Sequence, residues 1–494
     1  MLTLLLLIPF LGALALIFWP GSISSSRLHT TAVLLLVLQT LTSLLLLLPF
    51  QANVGGLQLQ ESAAWVNRIG LDYALGVDGI SLPLVLMNGI LCSIAALASR
   101  GINNRPRVYF SLILVISGAV NGAFLAQNLL LFLFFYELEL IPLWLLIAIW
   151  GGKNRAYAAT KFLIVTAVSG VLILGAFLGL ALATNDVNFS LRPITSNQLS
   201  LSTQIILMAC ILVGFGIKIP LIPFHTWLPD AHTEASTPIS VLLAGVLLKL
   251  GTYGILRFAL GLFPEAWQAA SSYLAFWAAA SVLYGSLAAI AQTDMKRMVA
   301  YSSVGHMGYV LLAAAAASPL GLMGALFQMI SHGLISPALF LLVGVVYSRT
   351  GTRDLNVLRG LLNPERGLPL TGSLMIIGVM ASAGIPGMSG FLAEFLIFRG
   401  SVQPFPLPTF LCMVGSGLTA VYFLLLVNRV FFGRLSIASG TVNNPKVMMP
   451  VPMVEQWPII GLTLGIFALG LAPGLLSNLS EATTTSMSQI LPVS

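Results

Sequence analysis

Long apolar runs alternate with short polar connections along the whole chain. Residues 162–185, for example, contain no charged side chain, and a helix that crosses a bilayer needs about 20 consecutive apolar residues. The pattern therefore predicts an all-α integral membrane protein with about fourteen transmembrane helices. In chain order the predicted spans are 2–19, 31–49, 80–98, 108–126, 128–150, 162–183, 203–229, 238–260, 270–290, 299–316, 321–346, 370–399, 408–432 and 457–476.

Two of these spans contain residues that interrupt a helix. Span seven holds Pro220 and Pro223, which lack a backbone N–H and clash with the preceding turn. Span twelve holds Gly384, Pro386 and Gly387. Unwound backbone at membrane depth is tolerated only where protein or a water-filled cavity satisfies it. Interruptions at matching positions in two halves of a chain therefore indicate a transport site.

The two interruptions lie five spans apart, which predicts an internal repeat. Spans four to eight (108–260) form the first copy, and spans nine to thirteen (270–432) form the second. Because five is an odd number, the second copy crosses the membrane in the opposite direction, although residue identity between the copies is weak. The flanking segments 1–107 and 433–494 complete a single polytopic membrane domain.

The composition excludes a soluble protein. The chain has 494 residues, of which 58% are hydrophobic and 7% are charged, whereas soluble domains carry about 25% charged residues. Most of the 22 Lys and Arg residues follow odd-numbered spans. The connections after even-numbered spans, together with the ends of those spans, hold only Arg68, Arg192, Arg257 and Arg399. Because Lys and Arg accumulate on the cytoplasmic side, we expect both termini on the opposite side. The net charge of +7 is thus explained by topology, and no nucleic-acid partner is expected.

Among the ionisable residues inside predicted spans, Glu137, Lys218, Lys249 and Glu394 are the candidates for function. Such a group costs several kcal/mol at membrane depth unless it is paired or hydrated, so each is a candidate functional residue. The alternatives are a carboxylate solvated by headgroups for Glu137, a snorkelling side chain for Lys218 and a structural salt bridge for Glu394. Glu139 points about 200° away from Glu137 around a regular helix, and Glu137 is preferred. Ionisable groups of both signs in separate spans predict a relay of buried proton sites.

Three histidines extend this relay: His225 after the break in span seven, His306 in span ten and His332 in span eleven. An intramembrane His can relay protons because both of its ring nitrogens exchange protons near neutral pH. Each one alone is equally compatible with a hydrogen-bonded core residue. His225 and His232 lie seven residues apart, but no third ligand or HExxH motif accompanies them, so no metal site is expected. His232 is assigned to the polar connection after span seven.

Redox chemistry is not expected in this chain. Cys92, Cys210 and Cys412 lie singly in apolar runs, without the spacing of an iron–sulfur or zinc site. The sequence also contains no phosphate-binding loop and no dinucleotide-binding fingerprint. Any electron transfer must therefore take place in other proteins.

Several motifs resemble those of the antiporter-like subunits of proton-pumping NADH:quinone oxidoreductase (complex I, NDH-1), along nearly the whole chain. The matching segments are YELELIPLWLLIAIWGG, GIKIPLIPFHTWLPDAHTEASTPISVLLAGVLLKLGTYGILRF, AQTDMKRMVAYSSVGHMGYV, SHGLISPALF and GIPGMSGFLAEF. Within that family the chain is most similar to the chain 4 group in its cyanobacterial and chloroplast form, as in LDYALGVDGISLPLVLM. That group has Glu, where sister subunits usually have Lys, at the position matched by Glu394.

The resemblance implies a fourteen-helix fold with inverted repeats and a set of site residues. It assigns the essential glutamate, the two lysines and the terminal acidic residue of the family to Glu137, Lys218, Lys249 and Glu394, and its inner histidines to His225, His306 and His332. In the implied mechanism, quinone reduction changes the pairing of Glu137 with Lys218. The change then passes through Lys249 to Glu394.

The implied function is proton translocation by an NAD(P)H- or ferredoxin-dependent plastoquinone oxidoreductase in a cyanobacterial thylakoid membrane, with both termini in the lumen. Flavin, iron–sulfur centres and quinone are expected in partner subunits, which include sister antiporter-like chains. This chain itself is expected to hold no cofactor. The alternatives are a stand-alone cation/proton antiporter, a non-pumping scaffold, and the same subunit in a specialised complex for inorganic carbon (CO2) uptake.

Overall fold

The computed structural model describes residues 1–21, 24–186, 189–437 and 450–491 as a bundle of helices. Within these residues, eleven helical segments are long and apolar enough to cross a membrane, and three shorter apolar helices occupy the remaining predicted positions. The prediction of an all-α membrane protein is therefore confirmed. The exact number of fourteen crossings stays a prediction.

The first half of the chain supplies eleven helices and one hairpin to the described structure. The helices are α1 (Leu2–Phe18), α2 (Ser25–Leu45), α3 (Ser81–Leu97), α4 (Pro106–Leu125), α5 (Leu129–Leu138), α6 (Leu140–Trp150), α7 (Arg155–Thr184), α8 (Leu201–Lys218), α9 (Trp227–Glu234), α10 (Thr237–Leu242) and α11 (Leu248–Gly254). The hairpin pairs β1 (Gln58–Val66) with β2 (Leu71–Val77) in antiparallel register.

The second half supplies eight helices and a second, short strand pair. The helices are α12 (Pro264–Ile290), α13 (Met295–Ala316), α14 (Pro319–Thr350), α15 (Pro369–Ser382), α16 (Ser389–Ser401), α17 (Pro406–Val430), α18 (Met453–Leu471) and α19 (Gly474–Ser488). The strands β3 (Leu358–Arg359) and β4 (Ser436–Ile437) pair antiparallel. The helix α14 lies against both copies of the predicted repeat, because it contacts α10 as well as α13 and α16.

Span seven is broken, as predicted, between α8 and α9. The helix α8 ends at Lys218 and α9 begins at Trp227, because Pro220 and Pro223 cannot donate the backbone hydrogen bonds that would continue it. The indole nitrogen of Trp227 donates to the carbonyl oxygen of Ile217 at 2.8 Å. This bond satisfies a carbonyl group that the break leaves without its helical partner.

Span twelve is also broken, between α15 and α16. The connection contains Gly384 with φ +72° and Gly387 with φ +90°. A residue with a Cβ rarely adopts this left-handed conformation, so glycine permits the break at both positions. The structure therefore confirms both interruptions. Whether the two halves form an inverted repeat stays a prediction.

Ion pairs at one end of the bundle join connections that follow odd-numbered spans. The pairs are Lys161–Asp230 at 2.8 Å, Arg297–Asp230 at 3.7 Å, Arg353–Asp294 at 3.2 Å and Arg349–Glu455 at 3.0 Å. Partly exposed pairs of this kind contribute little stability, but they show that these connections share one end of the bundle. This is the arrangement expected if consecutive spans cross the membrane in opposite directions, because every second connection then lies on the same side. Lys446, predicted for the same end, lies outside the described residues.

The hairpin and the C-terminal helix α19 are two elements that hydropathy does not predict. Ser480 on α19 donates its hydroxyl hydrogen to the carbonyl oxygen of Gly79 at 2.6 Å. The Gly79 N–H donates in turn to the hydroxyl oxygen of Thr483 at 3.0 Å. These bonds hold α19 against the start of α3. The C-terminal flank thus packs into the bundle.

A buried ion pair ties the start of α3 to span eight. Arg257 lies 2.8 Å from the Asp78 carboxylate, with side-chain exposures of 13% and 2%. The other Asp78 oxygen, Oδ1, accepts hydrogen bonds from the N–H groups of Ile80 and Ser81. Asp78 therefore satisfies the first turn of α3 and neutralises Arg257 with one carboxylate.

Replacing Asp78 with Asn should destabilise the bundle. The change leaves the guanidinium of Arg257 without its counter-charge, and breaking a buried pair costs about 3–5 kcal/mol. Because Arg257 keeps some solvent contact, the cost should fall at the low end of that range. The measurement is the thermal unfolding midpoint of the detergent-solubilised protein. Asp72→Asn, an exposed position in β2, is the control, and equal midpoints for the two variants would contradict the assigned role of the pair.

Candidate functional site

Glu137 and Glu139 lie where span five changes from α5 to α6. The helix α5 ends at Leu138 and α6 begins at Leu140, with Glu139 in a turn between them. Pro142 has no N–H to donate to the Leu138 carbonyl oxygen, which accounts for the interruption. The two acidic side chains therefore project from an irregular segment and not from a continuous helix.

Lys218, the last residue of α8, forms an ion pair with Glu139. The Lys218 Nζ atom lies 2.7 Å from Glu139 Oε1, and the side chains are 1% and 0% exposed. Nζ also lies 4.1 Å from the centre of the Tyr136 ring, a favourable cation–π distance. The expectation that Lys218 pairs with Glu137 is therefore wrong in this structure. A regular helix would point the two acids about 200° apart, and in this structure Glu139, at the junction between α5 and α6, is the one that contacts Lys218.

The carboxyl group of Glu137 lies against α7 instead. A Cβ atom at Gly170 would overlap this carboxyl group, so only glycine leaves the space that it occupies. Glu137 Oε1 is buried and has no hydrogen-bond partner among the described residues. Glu137 remains within electrostatic range of Lys218. It is thus a second carboxyl group beside a lysine that already has a partner.

Span eight is wound irregularly around Lys249. Two π-helical turns, Leu243–Leu247 and Ile255–Leu260, flank α11, and such turns often occur at functional sites. The wider first turn brings the carbonyl oxygen of Ala244 within 2.7 Å of Lys249 Nζ, which donates to it. The same Nζ atom lies 2.8 Å from Nδ1 of His332 on α14. Lys249 is therefore held by two hydrogen-bond acceptors in a fully buried position.

The contact between Lys249 and His332 provides a path for proton transfer. If Lys249 is an ammonium ion, His332 Nδ1 accepts its hydrogen bond and Nε2 carries the ring proton. Nε2 then donates to the hydroxyl oxygen of Ser303 at 3.1 Å, which lies 3.5 Å from the hydroxyl of Ser336. A proton that enters at Nδ1 can leave at Nε2, so the imidazole connects the lysine with two buried hydroxyl groups.

His306, His332 and Glu394 line one small polar cavity. The cavity has a volume of ≈ 10 Å³, which is at the lower limit for one water molecule. The two histidine rings lie 5.6 Å apart. His306 Nδ1 donates to the carbonyl oxygen of Ser302 at 2.7 Å, which leaves Nε2 toward Ser382 at 3.3 Å. The cavity brings a carboxyl group and two imidazoles together without a direct hydrogen bond between them.

Glu394 lies just after the break in span twelve. Its side chain is buried, and its Oε2 atom accepts a hydrogen bond from the Ser416 hydroxyl of α17 at 2.5 Å. A Cβ atom at Gly384 would lie 3.1 Å from the same oxygen. The glycine connection thus interrupts the helix and also makes room for the Glu394 carboxyl group.

The helices that carry Lys218 and Lys249 pack closely against each other. Among the described residues, no hydrogen bond connects Lys218 with Lys249. The helix α11 instead approaches the end of α8 closely, because a Cβ atom at Gly251 would lie only 3.3 Å from Lys218 Cβ. The backbones of α8 and α11 are therefore closely packed between the two lysines.

The described contacts of His225 include none of the other predicted relay residues. The His225 ring packs against the rings of Tyr284 and Tyr301, at 4.7 and 6.2 Å. His232 was expected in a polar connection, and this expectation is wrong. It lies in α9, fully buried, with its ring stacked 4.4 Å from that of Phe340. The helix resumes directly after the proline break and carries His232 into the bundle.

Seven ionisable residues form a series through the interior that we call the buried row. Its members are Glu137, Glu139, Lys218, Lys249, His332, His306 and Glu394. All are buried except Glu137, which is partly exposed. They lie on helices from spans five, seven, eight, ten, eleven and twelve. An arrangement of acids, amines and imidazoles in series can pass protons or charge from one side of the bundle interior to the other.

Comparison with known proteins identifies related membrane proteins. Residues 126–420 match the family described as NADH:quinone oxidoreductase/Mrp antiporter, TM. The chain is 42% identical over 444 residues to NAD(P)H-quinone oxidoreductase chain 4 1 of Synechococcus elongatus, covering 89% of this chain and 82% of that protein. It is 38% identical over 496 residues to NAD(P)H-quinone oxidoreductase chain 4 2 of Thermosynechococcus vestitus, covering 99% and 92%.

Solved structures share the whole fold. A chain of respiratory complex I from Thermus thermophilus superposes with a TM-score of 0.88 at 29% identity and covers 100% of both chains. A chain of the Mrp complex from Dietzia superposes with a TM-score of 0.85 at 22% identity and covers 99% of both chains. The second likeness concerns the fold alone.

Replacing Gly170 with Ala should displace the Glu137 carboxyl group and slow proton transfer by the assembled protein. The added methyl group overlaps only the end of a flexible side chain, so the bundle should still fold. We expect a decrease of about tenfold in the rate of proton uptake into vesicles, or about 1.4 kcal/mol in the barrier.

Gly175→Ala is the matched control for this prediction. It lies on the same helix, has no atom within 4 Å of the place that the added methyl carbon would take, and gains the same helix propensity of about 1 kcal/mol. Its proton uptake should equal that of the unchanged protein. Equal rates for both variants would mean that the position of Glu137 is not needed.

Proposed function

The chain belongs to the NADH:quinone oxidoreductase/Mrp antiporter family of transmembrane proteins, and we propose that it is a proton-translocating membrane subunit of an NAD(P)H-quinone oxidoreductase. The observation that carries this proposal is the buried row. Ionisable side chains on six spans are too costly at membrane depth to serve packing alone. Relatives of this name in two cyanobacteria cover most of the chain, which supports the same assignment.

In the proposed mechanism, quinone reduction in partner subunits separates Lys218 from Glu139. The separation changes the electrostatic field at Lys249, which then passes a proton to Nδ1 of His332, and Nε2 releases one to Ser303. Moving one charge against 100 mV costs about 2.3 kcal/mol. Breaking a buried ion pair changes the free energy by about 3–5 kcal/mol. One change of pairing is therefore large enough to move one proton against an ordinary membrane potential.

Glu394 is the proposed exit end of the row. Its carboxyl group shares a polar cavity with His306 and His332, and its bond to the Ser416 hydroxyl can hold either an ionised or a protonated carboxyl group, because a hydroxyl both donates and accepts. His225 is a proposed secondary site next to the break in span seven.

The same proposal places the electron-transfer chemistry in partner subunits and the protein in a thylakoid membrane. Flavin, iron–sulfur centres and quinone would lie in partner subunits, among them sister antiporter-like chains, with NAD(P)H or ferredoxin as donor and plastoquinone as acceptor. The cyanobacterial relatives support a thylakoid membrane. The basic connections after odd-numbered spans support termini on the lumenal side.

A stand-alone cation/proton antiporter is the alternative that the Mrp-like fold keeps open. The oxidoreductase relatives favour the subunit role, because their identity of 42% and 38% extends over most of the chain. A specialised complex for CO2 uptake would use the same buried row with other partners. Mass spectrometry of the subunits that co-purify with this chain distinguishes these cases.

Replacing Lys218 with Ala in the assembled complex should abolish proton pumping. The change removes the only ammonium ion beside Glu139 in the described structure, so the first change of pairing cannot occur. The measurement is quenching of a pH-sensitive dye in vesicles during quinone reduction, with the rate of electron transfer followed separately. Lys153→Ala, an exposed position, should pump normally. Full pumping by an assembled Lys218→Ala variant would refute the proposed role of the row.

A further inference from the structure

Two carboxyl groups lie beside one ammonium ion at the start of the buried row. Lys218 contacts Glu139 directly at 2.7 Å, and it acts electrostatically on Glu137 as well. The resemblance to the family points to Glu137 as the functional acid, whereas the geometry gives the contact to Glu139. Lys218 is thus near two acids and in direct contact with only one of them.

Neither carboxyl group has an alternative partner of opposite charge in the described structure. Both oxygens of Glu139 and one oxygen of Glu137 are buried without a well-directed hydrogen bond among the described residues. The contact of Glu139 with Lys218 is therefore an ion pair that is not fixed by hydrogen-bond direction. One ammonium ion can neutralise only one carboxylate. Two carboxylates at this site would leave one charge uncompensated, which is costly because Glu139 is buried and Glu137 is only partly exposed.

The backbone at this point allows either acid to approach Lys218. In a continuous helix the two side chains point about 200° apart, and a change of partner would require the helix to rotate. Here α5 ends at Leu138, and Pro142 removes the hydrogen bond that would join α5 rigidly to α6. Glu137 meanwhile rests in the space beside Gly170, and its buried Oε1 atom has no hydrogen bond to a described residue that would hold it there.

We propose that Glu137 and Glu139 share one proton and exchange the Lys218 ammonium ion between them. In the state seen here, Glu139 is the ionised partner and Glu137 carries the proton. In the second state, Lys218 pairs with ionised Glu137, and the proton has moved to Glu139. One O–H bond breaks on Glu137 and one forms on Glu139, so the charge of the cluster does not change.

The exchange deepens the proposed function and rests on it. Because Lys218 is paired in both states, the cost of an unpaired ion in the bundle arises only while the ammonium ion moves from one acid to the other. The exchange moves a positive charge and a proton in opposite directions at the end of the row nearest to Lys249. Glu139 is thus a resting partner for Lys218, and Glu137 is the partner in the activated state.

Infrared spectra of the assembled complex test whether the proton is shared. The experiment compares the unchanged complex with Glu137→Gln and Glu139→Gln, and uses the exposed Glu365→Gln variant to correct for the substitution itself. If the proton is shared, the remaining acid in either variant pairs with Lys218 as a carboxylate. Both difference spectra should therefore show the loss of one protonated carboxyl group and no loss of carboxylate. A Glu139→Gln spectrum that loses a carboxylate and keeps the protonated carboxyl group would overturn the proposal.

Pumping measurements separate this inference from the proposed function. Glu139→Gln should slow pumping about tenfold, which corresponds to about 1.4 kcal/mol in the barrier, and Glu139→Asp should restore part of the rate because it keeps the acid. Normal pumping by Glu139→Gln, with pumping lost in Lys218→Ala, would refute the shared proton and leave the proposed function intact. Normal pumping by Lys218→Ala would refute the proposed function itself.

Discussion

The interior of this protein depends on the ion pair between Lys218 and Glu139. Each group alone would be prohibitively costly in an apolar bundle, and the pair is tolerable only because the charges lie 2.7 Å apart and the ammonium ion also faces the ring of Tyr136. A buried pair of this kind adds little net stability compared with well-packed apolar residues. Its role lies in the change of pairing, because separating the two charges changes the free energy of the membrane domain by several kcal/mol.

Four ionisable members of the row lie in or near an irregular part of their span. Glu139 lies at the junction made by Pro142, Lys218 ends α8, Lys249 lies between two π-helical turns, and Glu394 follows a glycine connection. This coincidence has a physical cause. A regular helix uses its own backbone groups completely, whereas an interruption frees carbonyl groups and space that can hold an ammonium or carboxyl group. The interruptions are therefore part of the site and not only a feature of the fold.

The sequence predicted the bundle better than it predicted the contacts. Hydropathy located the helices, and Pro220 and Gly384 located both breaks, because these signals are local. The hairpin and α19 were missed, since neither is apolar enough to stand out. The partner of Lys218 was also predicted wrongly. Whether Glu137 or Glu139 faces Lys218 depends on the rotation of the helix about its axis, which the sequence pattern does not specify. Pro142 was the available signal, and its effect on the neighbouring acid at position 139 would have supported the correct pairing.

The residues of the buried row are not all connected by hydrogen bonds, and this matters for a pump. Close packing at Gly251 separates the two lysines, and the cavity beside Glu394 has a volume of only ≈ 10 Å³. A continuous file of water would conduct protons in either direction and dissipate the gradient. Closely packed apolar atoms block such a file of water, while the electrostatic effect of a charge still extends across them. In the proposed mechanism the apolar layers are therefore as necessary as the ionisable residues. They transmit the electrostatic effect of a change of pairing along the row, and they keep the individual proton transfers separate.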